Sequence, residues 1–382
     1  MYSEMLEYNS HMEVYNSNTL VNLANSILKV FNVETFHETI PEIDKYLKGH
    51  KKIVLVLFDG MGQNITRMHL KEDSFIRSHY VHTINSTYPP TTAAATTSVL
   101  TGKFPIETGW LAWATYFPEV NRNVILFRGY DYNTGEKIDP EIAYKKYPNK
   151  QLFELIKEAD KDAKTFCLQR FPIQQYGPKS LISAGKMIKK ELKNNEKAFG
   201  YFYWDTPDVE MHANGIYSPL IRRKVRRIDR FMKKLTKANP DTLFILTADH
   251  GHVNTEYIDI PEYPDLYSLI SKPACLEKRS PSFFVKEGKE NEFKELFNKY
   301  FGNEFDLLSK EEVLKYKLFG EGKPRDGVID SFGDFVALSK GKYSLYSSKE
   351  YKSSHKGKGT YPGHHGGGTK EERLIDISIY NH

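Results

Sequence analysis

Three carboxylates and three imidazoles stand far apart in this sequence, yet each sits where a strand should end. Asp59 follows the apolar run 53–58, Asp208 and His212 follow 199–204, Asp249 and His250 follow 243–247, and His365 sits in a late glycine-rich turn. Brought to one edge of a sheet, clustered anions repel one another and shift their pKa values unless a cation compensates them. Bound divalent metal is the simplest remedy. Asp208 and His212 are four residues apart, so a helical turn puts both on one face.

A candidate nucleophile stands elsewhere in the chain. Thr91 and Thr92 follow Tyr88-Pro89-Pro90 and precede Ala93-Ala94-Ala95. The prolines exclude a helix before them and the alanines promote one after. A threonine hydroxyl is thereby presented at a helix N-terminus, where free N–H groups and the positive end of the dipole favour anions. Alone this reads as an ordinary N-cap. Beside metal ligands, a cation would lower the hydroxyl's pKa and make it a nucleophile.

Positioning these groups requires strands that end together. Apolar runs at 52–58, 164–168, 199–204 and 242–247 alternate with helical periodicity at 18–32, 150–160, 180–194 and 218–237. That alternation predicts a three-layer α/β/α sandwich with a mostly parallel central sheet. In such sheets ligands gather at the carboxyl ends of the strands. Residues 253–278, interrupted by Pro261, Pro264 and Pro273, are expected to form a long loop near the site. Residues 279–346 read as a small α+β cap: a strand near 282–286, a helix near 290–301, a second helix begun by Ser309, and a strand near 334–338. The catalytic domain would then comprise 1–278 and 347–382. The Ser, Lys and Gly-rich stretch 347–363 is expected to be mobile and to order over a substrate.

Composition narrows the class. With 382 residues, 40% hydrophobic and 13% aromatic, the chain can bury a large core, which excludes disordered and collagen-like classes. A net charge of +5 is only mildly basic, suiting anionic substrates better than a nucleic-acid platform. The basic helix at 218–237, with an apolar stripe of Leu220, Val225, Ile228, Met232 and Leu235, reads as having a solvated cationic face. Two unrelated cysteines, Cys167 and Cys275, support no disulfide framework. No run approaches the length of a membrane span and the first residues lack a signal-peptide pattern, so the expectation is a cytoplasmic protein with no membrane partner.

The spelling and order of the motifs carry a resemblance. Phe58-Asp59-Gly60, Thr92 nine residues ahead of Thr101-Gly102, Pro207-Asp208 through His212, Ala248-Asp249-His250-Gly251 and Gly363-His364-His365-Gly366-Gly367 resemble the ordered motif set of the alkaline phosphatase superfamily, nearest its type I phosphodiesterase/nucleotide pyrophosphatase branch. The resemblance implies two divalent metal ions, zinc first with manganese or iron as alternatives. One would be held by Asp208, His212 and His365. The other would be held by Asp59, Asp249 and His250, with Thr92 as nucleophile and ligand beside it. Thr91, Asp205 and His364 are the rivals of Thr92, Asp208 and His365, while His252 and His355 read as ordinary polar residues, or else as supporting groups or substrate contacts. The sequence departs from the branch where an asparagine usually follows the nucleophile helix, since Trp113 stands there. Trp113 and Trp110 are candidate substrate contacts that would stack on a ring or else pack the cap.

The activity so implied is metal-dependent hydrolysis of phosphoric esters through a phosphothreonine, on a small phosphorylated, nucleotide-like substrate. Phosphomonoesterase is the alternative. A phosphomutase and a non-catalytic phospholigand-binding protein rank lower.

Overall fold

The computed structural model describes residues 17–169, 177–347 and 360–381. A six-stranded sheet runs in the order β2 (Tyr80–Asn85), β17 (Leu374–Tyr380), β8 (Leu243–Thr247), β1 (Lys52–Phe58), β7 (Ala198–Trp204), β6 (Lys164–Gln169). The four apolar runs read from the sequence are its contiguous parallel strands β8-β1-β7-β6. The sheet is nonetheless mixed, because β17 pairs antiparallel with both β8 and β2. The final segment, Leu374-Ile375-Asp376-Ile377-Ser378-Ile379-Tyr380, returns from the glycine-rich turn and fills the slot beside β8 with buried isoleucines.

Alternation along β7 shows how both faces are covered. Phe199 packs on Phe31 and Phe153 beside the helices Leu20–Val30 and Leu152–Ala159, whereas Phe202 packs on Phe58 and on Phe231 of the helix Pro219–Lys237. Odd and even residues of a strand point to opposite faces, so this strand is sandwiched between two helical layers. The basic helix buries Ile221, Val225, Ile228, Met232 and Leu235. Ile221 takes the place expected of Leu220, which is only half-buried.

A second sheet of seven strands lies in the order β13 (Phe305–Ser309), β14 (Phe335–Ser339), β12 (Ser280–Val285), β11 (Ile270–Glu277), β3 (Ala114–Phe117), β4 (Arg122–Ile125), β5 (Tyr130–Asp131). It combines strands from 279–346 with strands from 114–131 and 270–277. The stretch 253–278 is therefore not the long loop expected from its prolines. It forms β9 (Val253–Asn254), β10 (Glu256–Asp259), two short helical turns and β11. Pro261 and Pro264 sit in the first turn of those helical pieces, and Pro273 lies at a register shift of β11. Those are positions where a missing N–H costs little.

Two small ladders complete the frame. β10 pairs parallel with β15 (Tyr343–Tyr346), and β9 pairs antiparallel with β16 (Gly363–His364). The helix Glu290–Phe301 and the helix Lys310–Lys315, capped by Ser309 with Glu312, are those expected of the cap. Residues 348–359, including His355 and most of the stretch expected to be mobile, lie outside the described residues. Among the described residues, no helix is long and apolar enough to cross a membrane.

Candidate metal and nucleophile site

The register aligns three strand ends. Phe58 pairs with Trp204, and Leu57 with Thr247, so Asp59, the 205–208 turn and Asp249-His250 leave adjacent strands at one edge. The Asp59 N–H donates to Trp204 O at 3.0 Å and the Asp208 N–H donates to Asp59 O at 3.1 Å, which ties two of these loops together. The third approaches through glycine. A Cβ on Gly62 would lie 2.5 Å from the Gly251 Cα, a contact that any side chain forbids. His365 arrives through β16, whose His364 pairs with Val253 just beyond the Asp249-His250 loop.

The imidazoles are oriented by the backbone. His212 Nδ1 lies 3.0 Å from Gly363 O, His250 Nδ1 3.0 Å from Gly251 O, and His365 Nδ1 3.1 Å from Pro90 O. A carbonyl only accepts, so each Nδ1 carries the proton and each Nε2 offers a lone pair to the site. Those atoms converge on carboxylates. His212 Nε2 is 3.4 Å and His365 Nε2 3.7 Å from Asp208, while His250 Nε2 is 3.3 Å from Asp59 and 3.6 Å from Asp249. The rings of His250 and His365 stack at 3.7 Å.

Two adjoining clusters result. Ligand atoms of Asp208, His212, His252 and His365 lie within 4.8 Å of one another, as do those of Asp59, Asp208 and His250. Asp208 belongs to both. Asp249 uses Oδ1 to accept the N–H groups of Gly60 and His250, each at 3.0 Å, and its Oδ2 is buried with no hydrogen-bond partner. Burial, with repulsion from Asp249 and Asp208, drives the Asp59 carboxyl well above its ordinary range. Burial also raises Asp249. Burial opposes ionisation of Asp208, but the imidazoles of His212 and His252 overcome it and hold its carboxyl low. His365 is kept neutral by burial and by the neighbouring rings.

This donor set fits divalent cations. Lone-pair nitrogens and carboxylate oxygens are ligands for zinc, manganese or iron, and an orphaned buried oxygen next to repelling acids is the deficit a cation removes.

Thr92 opens the helix Thr92–Thr101 with Thr91 as N-cap. Its Oγ1 lies 3.5 Å from both Asp59 carboxylate oxygens and 3.3 Å from His250 Nε2. A cavity of about 490 Å³ brings Asp59, Thr92, Asp208, His212 and His365 to a common surface. Trp113 lines it. Trp110 does not: it is 3% exposed and packs on Phe127 and Tyr144 in a separate cluster.

Some groups carry no signal in the sequence. Tyr203 donates its hydroxyl to Asp59 Oδ2, and only its parity along β7 hints at that face. His252, read from sequence as an ordinary polar residue ahead of a supporting group or substrate contact, points Nε2 at Asp208 Oδ1 from 3.0 Å. Its place two residues after His250 is the one clue. Glu277 and Lys278, both buried at the cavity wall, have none.

The family model of type I phosphodiesterase/nucleotide pyrophosphatase matches residues 53–367. Among solved structures, the chain is similar to murine ectonucleotide pyrophosphatase/phosphodiesterase 5, with TM-score 0.65 and 17% identity over 87% of this chain and 88% of that one. An inactive threonine-to-alanine variant of that murine protein, in complex with AMP, gives TM-score 0.63 at 17% identity over 87% and 88%. The human counterpart gives 0.65 at 18% identity over 86% and 88%. No curated protein matches the chain by sequence.

Proposed function

The chain belongs to the type I phosphodiesterase/nucleotide pyrophosphatase family, enzymes that hydrolyse phosphodiester bonds, and from that premise we propose that it cleaves nucleotide-like substrates through a phosphothreonine on Thr92. The observation that carries the reading is the placement of Thr92 Oγ1 at a helix N-terminus, within 3.5 Å of Asp59 and His250, on the wall of the cavity that the two clusters share. The murine structure in which a threonine-to-alanine variant is inactive and holds AMP supports both the residue type and the substrate class.

In this reading Asp208, His212 and His365 hold one divalent ion, and Asp59, Asp249 and His250 hold the other, with Thr92 beside it. When bound, such a pair would stabilise the entering and leaving oxygens of an in-line displacement. Thr92 Oγ1, 3.5 Å from Asp59 and 3.3 Å from His250, attacks phosphorus as the ester oxygen departs on the far side, and since the lone pairs of Asp59 and His250 would be committed to the ion, the hydroxyl proton leaves to water in the cavity. Water then cleaves the phosphothreonine and frees the hydroxyl. His252 acts behind this set by fixing the Asp208 carboxylate.

Thr92→Ala is expected to lower kcat by about 10⁴-fold or more while metal content and melting temperature stay close to those of the parent. Turnover that survives the substitution would remove Thr92 from the mechanism. Parallel assays with a chromogenic bis-ester and mono-ester decide between diesterase and monoesterase activity.

A further inference from the structure

One helix holds more positive charge than the whole chain. Pro219–Lys237 carries nine Lys or Arg and one Asp, a formal +8, whereas the chain totals +5, so everything outside the helix carries −3. Eight of the nine cations are exposed, and among the described residues Lys224 alone of them forms an ion pair, with Glu210 at 2.7 Å. Like charges three and four residues apart repel along a helix. An anionic surface laid against the row relieves that repulsion.

The neighbouring relief carries the charge toward the catalytic edge. Where the helix meets the turn after His69, an open groove of about 1010 Å³ is lined by Lys71, Arg223, Lys224, Arg226, Arg227 and Arg230. Asp73 and Asp229 are its only acids among the described residues, and Asp229 already accepts the Ile76 N–H at 2.8 Å. A second pocket, of about 320 Å³, joins Lys179, Lys224 and Arg227 to Asp205, Val209 and Glu210. Val209 also lines the cavity that holds Thr92 and the candidate metal ligands. Cationic surface therefore reaches the rim of the site.

Apolar side chains break the surface at the same end of the helix. Tyr217, Ile182 and Val209 are 70%, 69% and 56% exposed, the three most exposed large hydrophobic residues among those described. Tyr217 directly precedes Ser218, the N-cap of the basic helix, and Val209 stands in the first turn of the helix Asp208–Asn214. Ile182 stands in the first turn of the helix Leu181–Leu192, whose Leu181 lines the pocket shared by Val209 and Arg227. Both of these helices pack on the basic one. Single exposed apolar residues are ordinary, but three that flank one end of an uncompensated cationic helix mark an interaction surface.

The combination selects the partner. Cations attract anionic headgroups, while aliphatic and tyrosine side chains enter the boundary between headgroups and acyl chains. A nucleic acid strand would engage the charge but has no apolar layer to receive Ile182 and Val209. We propose that the basic helix and its apolar fringe form a docking surface for an anionic lipid bilayer, which seats the cavity rim at Val209 beside the headgroups. Docking of this kind needs no membrane-spanning helix.

The test sediments the full-length, metal-loaded protein with vesicles of phosphatidylcholine alone or with about a third phosphatidylglycerol, at low and high salt. The parent is expected to follow the anionic vesicles, to leave the neutral ones and to be released as salt shortens the screening length. The variant carrying Arg223→Gln, Arg226→Gln, Arg227→Gln and Arg230→Gln keeps helix propensity and is expected to lower the partition coefficient at least about a hundredfold. Ile182→Ser together with Tyr217→Ser is expected to lower it about tenfold, with binding to a single-stranded oligonucleotide unchanged. No preference for anionic vesicles, full binding by the Gln variant, or capture of the oligonucleotide without capture of vesicles would overturn the proposal. An apolar variant that binds vesicles like the parent would overturn it too. Should the Gln variant fail to fold, the salt dependence of the parent decides the role of charge. Turnover plays no part in these readouts, so the docking surface stands or falls separately from the phosphoester reading.

Discussion

Two buried clusters of charge differ in whether the chain itself satisfies them. Glu372 receives Arg279 Nε at 2.6 Å and Nη2 at 2.9 Å, the Gly367 N–H at 2.8 Å and the Thr369 hydroxyl at 2.7 Å. Arg279 also donates to the carbonyls of Gly341 and Tyr343. Burial works against ionising Glu372, yet Arg279 holds its carboxyl low. At the strand ends, by contrast, Asp59 and Asp249 are equally buried, raised, and face one another with an orphaned oxygen between them and their neighbours. The first cluster is a rivet: it pins the glycine-rich turn that carries His365 to the start of β12. The second gathers donors that could hold cations the chain itself does not supply. Buried charge that is fully hydrogen-bonded fixes shape, whereas buried charge left in deficit marks where a ligand enters.

That contrast can be broken by experiment. Arg279→Met strands Glu372 without a counter-charge and is expected to cost about 3–5 kcal/mol, read as a lower urea midpoint. A neutral result would mean the rivet holds nothing. Chelation should leave the rivet untouched yet lower the melting temperature, since ions at a hundred times Kd contribute about 2.7 kcal/mol. Identical melting curves with and without chelator would contradict the deficit. His252→Gln should weaken metal affinity by about tenfold to a hundredfold, because it loosens the hold on the Asp208 carboxylate; competition with a chromogenic chelator reads this. The smallest effect is also the most diagnostic. Asp59→Asn in metal-free protein should raise stability by about 1 kcal/mol by relieving repulsion, the opposite sign from Arg279→Met, while abolishing tight metal binding. Destabilisation of the metal-free form would place Asp59 with the rivet instead.

Much of the candidate site is legible in the sequence alone. The parallel strands β1, β6, β7 and β8 announce themselves as apolar runs, and their carboxyl ends carry acids and histidines because that edge is open to ligands. The helices at 20–30, 152–159, 181–192 and 219–237 follow from periodicity and caps. Legibility fails where pairing is long-range. The strands β3, β4 and β5 join β11 across some 150 residues, and the three prolines of 253–278 suggested a loop because their tolerance at helix starts and a bulge is a tertiary fact. Trp110 and Trp113 are indistinguishable in sequence, yet one is core and the other lines the cavity.

Residue identity and local order therefore determined which chemistry this chain can hold: carboxylates, imidazoles and a hydroxyl, each at the end of a run that could only be a buried strand or the start of a helix. Folding decided the rest. Which imidazole nitrogen faces the site and which acids repel both depend on contacts between distant segments, and no local pattern encodes a distance across the fold.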